Sequence, residues 1–272
     1  MTNENLTPSN SNRTVRADNL IAVASGKGGV GKTWFSITLA HALAKQNKKI
    51  LLFDGDLGLA NVDVQLGLMP QHDLRHVIEG KLSMQRIIQH HAGTGLDIIA
   101  GQSGAASLAN LPIEQVIELR DQLLPLCPQY DRVIIDLGAG IDRTVRILSG
   151  AASRVLVVVN EEPTSLTDAY AFIKLTHMAG LADAVQIVVN NVDQKADGER
   201  VYQTISKACQ NFLKIRPPLA GIIRNDKKVP ESIRHQTPLL TRYPNSTAAF
   251  EIEIIANYLL GSMTVTAPLA AG

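Results

Sequence analysis

Residues Gly26 to Thr33 read Gly-Lys-Gly-Gly-Val-Gly-Lys-Thr. The string fits G-x-x-x-x-G-K-[ST], the spacing of a loop that cradles phosphates. Gly26, Gly28, Gly29 and Gly31 let main-chain N–H groups turn inward without Cβ clashes. Lys32 is the expected partner of the β- and γ-phosphates, and the Thr33 hydroxyl of one coordination position on Mg²⁺. Val30 and Trp34 complete the stretch expected to line the cofactor. A second lysine, Lys27, stands directly after the first glycine.

Such a loop works only between a strand and a helix. Leu20 to Ser25 is a short apolar run that reads as a buried parallel strand. From Lys32 to Gln46 the apolar residues Phe35, Leu39, Ala42 and Leu43 share one helical face. The N-terminus of that helix adds partial positive charge at the phosphate site.

A phosphate loop needs acids nearby for metal and water. The run Ile50 to Phe53 ends in Asp54-Gly55-Asp56, and the run Val133 to Ile135 ends in Asp136. An aspartate after a strand is also a common turn residue, but two acids at a strand end beside a phosphate loop favour chemistry. Asp54 and Asp136 are the candidate Mg²⁺ residues with Thr33, Asp136 acting through a water. Gly138-Ala139-Gly140 offers N–H groups that would sense a γ-phosphate.

Further strand-like runs lie at 96–100, 155–159, 185–190 and 219–223. Helical patterns lie at 112–124, 142–150, 164–178, 198–212 and 246–260. This alternation predicts an α/β fold, a doubly wound, mostly parallel sheet of about seven or eight strands with helices on both faces. The expected organisation is a disordered tail over 1–18, one domain over 19–261 and a loose tail over 262–272. The 272 residues, 45% hydrophobic, suffice for one large core. A net charge of +1 gives no global field for nucleic acid. Cys127 and Cys209 have no metal spacing and read as ordinary semi-buried thiols. No apolar run approaches the length of a membrane span, and the polar N-terminus has no signal-peptide pattern. The expectation is a soluble cytoplasmic protein.

The chain resembles the deviant-Walker ATPases of the MinD/ParA family. Lys27 within the loop, Asp54-Gly-Asp56 and Asp136-Leu-Gly-Ala-Gly carry the resemblance. Within the family it is most similar to the flagellar number and placement regulators of the FlhG/FleN type. That likeness rests on Asp56 to Asp63 with Leu66-Gly67-Leu68, on Glu162 to Lys174, and on Gly198-Glu-Arg with Phe212-Leu. The resemblance implies a P-loop ATPase using ATP and Mg²⁺, slow enough to serve as a timer, in which ATP favours a homodimer and hydrolysis releases it. It implies that Lys27 reaches the partner subunit's nucleotide and that Asp56 orients the attacking water. It also implies that Asn190 hydrogen-bonds adenine, with capping of local structure as the alternative role. A protein partner such as a flagellar GTPase or a transcription regulator is implied as well. A nucleoid-bound partition ATPase and a nucleotide-gated adaptor with little hydrolysis are the other readings.

Three positions depart from the family pattern: Trp34 replaces a small or polar residue, Leu137 a Thr or Ser, and Arg224 a proline beside the expected adenine site. Trp34 reads more readily as a partly buried core aromatic. Relatives often end in a basic amphipathic helix that holds membrane. Here no Lys or Arg follows Arg242, and Ala248 to Leu260 carries Glu251 and Glu253. Direct tail-mediated membrane binding is therefore not expected, and Phe250, Ile254, Ile255, Tyr258 and Leu259 are expected to face the domain. Arg224, Lys227, Lys228, Arg234 and Arg242 form the densest basic stretch. It reads as a solvated face, with non-specific DNA binding the less favoured reading. His72 and His76 read as a polar face lacking a third metal ligand, and His90-His91 as a solvated turn.

Overall fold

The computed structural model describes residues 16–101 and 111–261. Eight strands form one sheet in the order β3-β4-β2-β5-β1-β6-β7-β8, all parallel except β3 against β4. The strands are β1 (Ala17–Ser25), β2 (Ile50–Gly55), β3 (Gln89–His91), β4 (Leu96–Ile99), β5 (Arg132–Ala139), β6 (Ala152–Val159), β7 (Val185–Val192) and β8 (Leu219–Arg224). The helices are α1 (Lys32–Ala44), α2 (Val62–Leu66), α3 (Leu74–Ile78), α4 (Ile113–Leu123), α5 (Arg143–Gly150), α6 (Pro163–Met178), α7 (Lys195–Leu213), α8 (Lys228–Arg234), α9 (Leu239–Arg242) and α10 (Thr247–Leu259).

The strand alternation sorts the core into two layers. Leu20, Ala22 and Ala24 of β1 face the layer containing α4, α5, α6 and α7. Ile21 and Val23 face the layer containing α1, α9 and α10. With both faces covered, β1, β2 and β6 read as continuous apolar runs. Each fully buried Leu or Ile contributes about 1.5–3 kcal/mol to that core.

Some expectations change at this level. β1 begins at Ala17, inside the stretch expected to be tail, and the Asp18 carbonyl accepts a bond from the Ser153 hydroxyl. Residues 1–15 and 262–272 lie outside the described residues. His90 and His91 are not in a turn: they form the antiparallel edge strand β3, where His90 Nδ1 lies 2.9 Å from Asp97. α1 is buried on nearly all sides rather than on one face, because α9 and α10 cover its outer surface. On α10 the buried stripe is Ala248, Ala249, Ile252, Ile255, Ala256 and Leu259, and Phe250 stands 62% exposed instead of facing the domain. Its acids are engaged, Glu251 with Arg224 and Glu253 with Lys45. Cys127 and Cys209 are buried and unpaired with each other, their thiols pushed up to about 11 by burial.

The crossover from β1 runs to one side, to β2, and that from β6 runs to the other, to β7. The crevice beyond the carboxyl end of β1 is thus a switch point, where such sheets bind ligands. The segments following β1, β2, β5, β6 and β7 all emerge at that edge.

Candidate nucleotide site

The loop after β1 is shaped by two demands. Gly29 and Gly31 have φ of 82° and 87°, the left-handed region that favours glycine. Gly26 has an ordinary φ, but a Cβ there would stand 2.2 Å from the Asp168 carbonyl carbon in α6. The first glycine of the motif is therefore fixed by close backbone approach, and the last by its turn.

The turn delivers Lys32, Thr33 and Ser36 to Asp136. Register places Asp136 between Val23 of β1 and Asp54 of β2. Its Oδ1 accepts from Lys32 Nζ at 3.1 Å and from Ser36 Oγ at 2.8 Å, and its Oδ2 from Thr33 Oγ1 at 2.6 Å. Lys32 and Asp136 are both buried, so each charge depends on the other for compensation. Ser36 was missed by sequence reasoning; a polar residue one turn after Lys32 on a buried helix was the available signal.

Asp54 has a different task from the expected metal role. It is fully buried, Oδ1 accepting from Asp56 N–H and Oδ2 from the N–H groups of Asn61 and Val62. The carboxylate gathers the loop between β2 and α2 and does not face the cleft. Burial and the neighbouring Asp136 charge push its pKa up to about 8, against the pull of those N–H donors. Asp56 does reach the cleft, beside Gly138, and its Oδ1 accepts from Leu59 N–H at 3.0 Å.

The cleft has a volume of about 750 Å³ and is lined by Gly28, Gly29, Gly31, Lys32, Thr33, Asp56, Gly138 and Ala139, among others. A smaller cavity of about 280 Å³ opens beside it and shares Gly29, Gly31, Trp34 and Ile233 as walls. Asn190 lines the smaller one, with Nδ2 donating to the Val30 carbonyl at 2.8 Å. That bond fixes the Asn190 amide against the phosphate loop. Trp34 is buried and lines both cavities, its indole N–H without a hydrogen-bond partner among the described residues. Leu137 is fully buried, paired in register with Gly55.

Lys27 is on the rim. Its Nζ is held by Glu162 and by Thr164 Oγ1, the latter at 2.9 Å, at the start of α6. The Lys27 contact holds the Glu162 carboxyl below its usual range. His72 and His76 meet edge to face at 5.0 Å, and His76 Nδ1 accepts from Asp73 N–H in the capping box of α3. Among the described residues no group of three or more His, Cys, Asp or Glu is disposed to hold a metal ion. Most cations of the basic stretch are engaged: Arg224 with Glu251, Lys228 with Glu231, and Arg242 over the Tyr243 ring.

The donor set fits a nucleoside polyphosphate with Mg²⁺. A glycine turn at a helix N-terminus and a buried lysine suit the phosphates. A hydroxyl beside a carboxylate suits a hard cation.

Comparison with known proteins agrees with this geometry. The family model described as CobQ/CobB/MinD/ParA nucleotide binding domain matches residues 21–239. Antiactivator FleN of Pseudomonas aeruginosa is 35% identical over 237 residues, spanning 87% of this chain and 84% of FleN. Flagellum site-determining protein YlxH of Helicobacter pylori is 31% identical over 244 residues, spanning 89% of this chain and 82% of YlxH. In the solved MinC:MinD cell division protein complex of Aquifex aeolicus, the matched chain superposes with a TM-score of 0.74 at 27% identity, covering 91% of this chain and 97% of that one.

Proposed function

The chain belongs to the CobQ/CobB/MinD/ParA nucleotide-binding family, and from that premise we propose that it is a Mg²⁺-dependent ATPase whose ATP-driven dimerisation sets flagellar number or placement through protein partners. The observation that carries the chemistry is the meeting of Lys32, Thr33 and Ser36 on Asp136, with Asp56 facing the same cleft. The flagellar assignment is supported by FleN and YlxH, both over 30% identical across more than four-fifths of each chain.

Within this reading, the loop N–H groups and Lys32 hold the phosphates in line. Thr33 and Asp136 would hold Mg²⁺, which would supply charge neutralisation for the phosphates. Asp56 orients water at the open end of the cleft, and Asp54 holds the Asp56 loop in place. Phosphoryl transfer asks chiefly for positioning and electrostatic stabilisation, and these residues provide both. Lys27 serves the partner subunit's nucleotide once released from Glu162. ATP therefore selects the dimer and hydrolysis returns the monomer.

Two of the five cations of the basic stretch, Arg224 and Lys228, are paired with carboxylates, which weighs against the DNA-bound alternative. No helix among the described residues is long and apolar enough to cross a membrane. The test is phosphate release with and without EDTA, together with pull-downs from a flagellated host in ATP against ADP. Mg²⁺-dependent turnover and ATP-selective capture of flagellar proteins are expected. Absence of ATP hydrolysis, or capture indifferent to the nucleotide, would overturn the reading.

A further inference from the structure

β8 ends the sheet, and among the described residues no strand lies along its outer edge. Main-chain groups of a strand turn alternately to its two sides. The Asn225 N–H donates to Val192 of β7. The N–H of Arg224, and two residues back that of Ile222, therefore turn away from the sheet. On that side lies a groove of about 360 Å³ floored by β8. Phe250 and Ile254 of α10 form one wall, Lys195 and Glu199 of α7 the other. Phe250 is 62% exposed and Ile222 is half-buried, so the groove offers apolar surface beside unpaired main chain.

Such an edge is a template for another strand. One side chain closes it. Glu251 accepts the Arg224 main-chain N–H on Oε2 at 2.7 Å and the Arg224 Nε–H on Oε1 at 2.6 Å. Its side chain is only 12% exposed, so α10 holds the carboxylate in place. The first bond takes the last outward donor of β8. The second keeps a charged pair at that end of the groove. A strand pairing along the whole edge would have to displace both.

The strand that fits this edge is the same edge of a second copy. Lys195 and Glu199 stand one turn apart on α7, opposite in sign, and neither forms an ion pair among the described residues. Gly198 lies between them, so close to β8 that a Cβ would stand 2.4 Å from Ile222 Cγ2. This turn of α7 is thus level with the middle of β8. A two-fold axis near Ile222 would run two β8 edges antiparallel and set each Lys195 against the other copy's Glu199. That is the reciprocal pattern of an isologous contact. Balanced charge and main-chain donors suit such a partner and do not suit a polyanion.

We propose that Glu251 guards the β8 edge against antiparallel pairing with the same edge of a second copy. It is an autoinhibitory contact, separate from the nucleotide cleft.

Light scattering on nucleotide-free protein in EDTA, across a concentration series, tests this without involving ATP. Wild type stays monomeric. Glu251→Ala frees the Arg224 N–H, and its mass rises with concentration toward about twice the monomer's. Adding Ile222→Pro deletes the central outward donor without costing a ladder bond, and returns the protein to monomer. Adding Lys195→Glu instead sets two acids together at each end of the seam and weakens the association. Hydrogen exchange carries the same test should the proline variant fail to fold: in Glu251→Ala the Ile222 amide gains protection as concentration rises. Glu251→Ala that remains monomeric overturns the proposal, as does wild type that already dimerises without nucleotide. Association indifferent to Lys195→Glu and Ile222→Pro belongs to another surface and overturns it too. Ile222 protection independent of concentration would put a segment of the same chain on the edge, and would also overturn it.

Discussion

Lys27, within the phosphate loop, is tied to Glu162 of its own chain, 135 positions further on. Thr164 adds a second bond at 2.9 Å. The pair competes with any engagement of Lys27 in another subunit. Removing it by Glu162→Gln should lower the ATP concentration needed for dimerisation. The shift should be less than about tenfold, as the pair is solvent-accessible. Light scattering across an ATP titration checks this; a shift toward higher ATP would contradict it.

Asp54 and Asp56 sit two residues apart and should fail differently. Asp54→Ala removes a buried acceptor from three loop N–H groups and should cost on the order of 1–3 kcal/mol of stability. Asp56→Ala, on the cleft surface, should leave stability within about 0.5 kcal/mol and abolish hydrolysis. Thermal melts paired with phosphate release separate the two.

This contrast marks how far the sequence could be read. The strand–loop–helix order made Gly26 to Thr33 legible, and apolar runs located every parallel strand to within a few residues. Both aspartates were visible as candidates, but not that one points into the loop and the other into the cleft. That depends on which backbone N–H groups the loop turns inward. β3 was missed because Gln89–His91 is three residues long and entirely polar, with no apolar alternation in the sequence. Strand order was not legible either, since neighbours such as β1 and β6 are linked only through other elements. Glu251 was seen as a helix residue and Glu162 only as the start of a family-like stretch; their partners Lys27 and Arg224 are brought to them by tertiary packing alone.

Gly26 tolerates no side chain because the α6 backbone occupies the space a Cβ would need. Gly26→Ala should cost about 1–3 kcal/mol by displacing the loop from α6. It should also weaken ADP binding, measurable by calorimetry, even though position 26 is not itself left-handed.

His41 lies in α1 with its Nδ1 buried and without a hydrogen-bond partner among the described residues. Burial first, then Lys45 and His91, lowers its pKa from 6.5 to about 4. The folded state thus keeps the ring neutral while the unfolded chain takes a proton below pH 6.5. The stability contribution is complete above about pH 6.5 and is lost as pH falls toward 4. His41→Leu should flatten the pH dependence of the melting temperature over that window. An unchanged slope would assign the acid sensitivity to other groups.

The central claim is that nucleotide state sets the association state through one cleft. Size-exclusion chromatography with light scattering on Asp56→Ala, in Mg²⁺ with ATP or ADP, tests it most directly. The account predicts a persistent dimer in ATP and a monomer in ADP, with the ATP dimer abolished by adding Lys27→Ala. A chain that stays monomeric in ATP, or dimerises equally in both nucleotides, would contradict it.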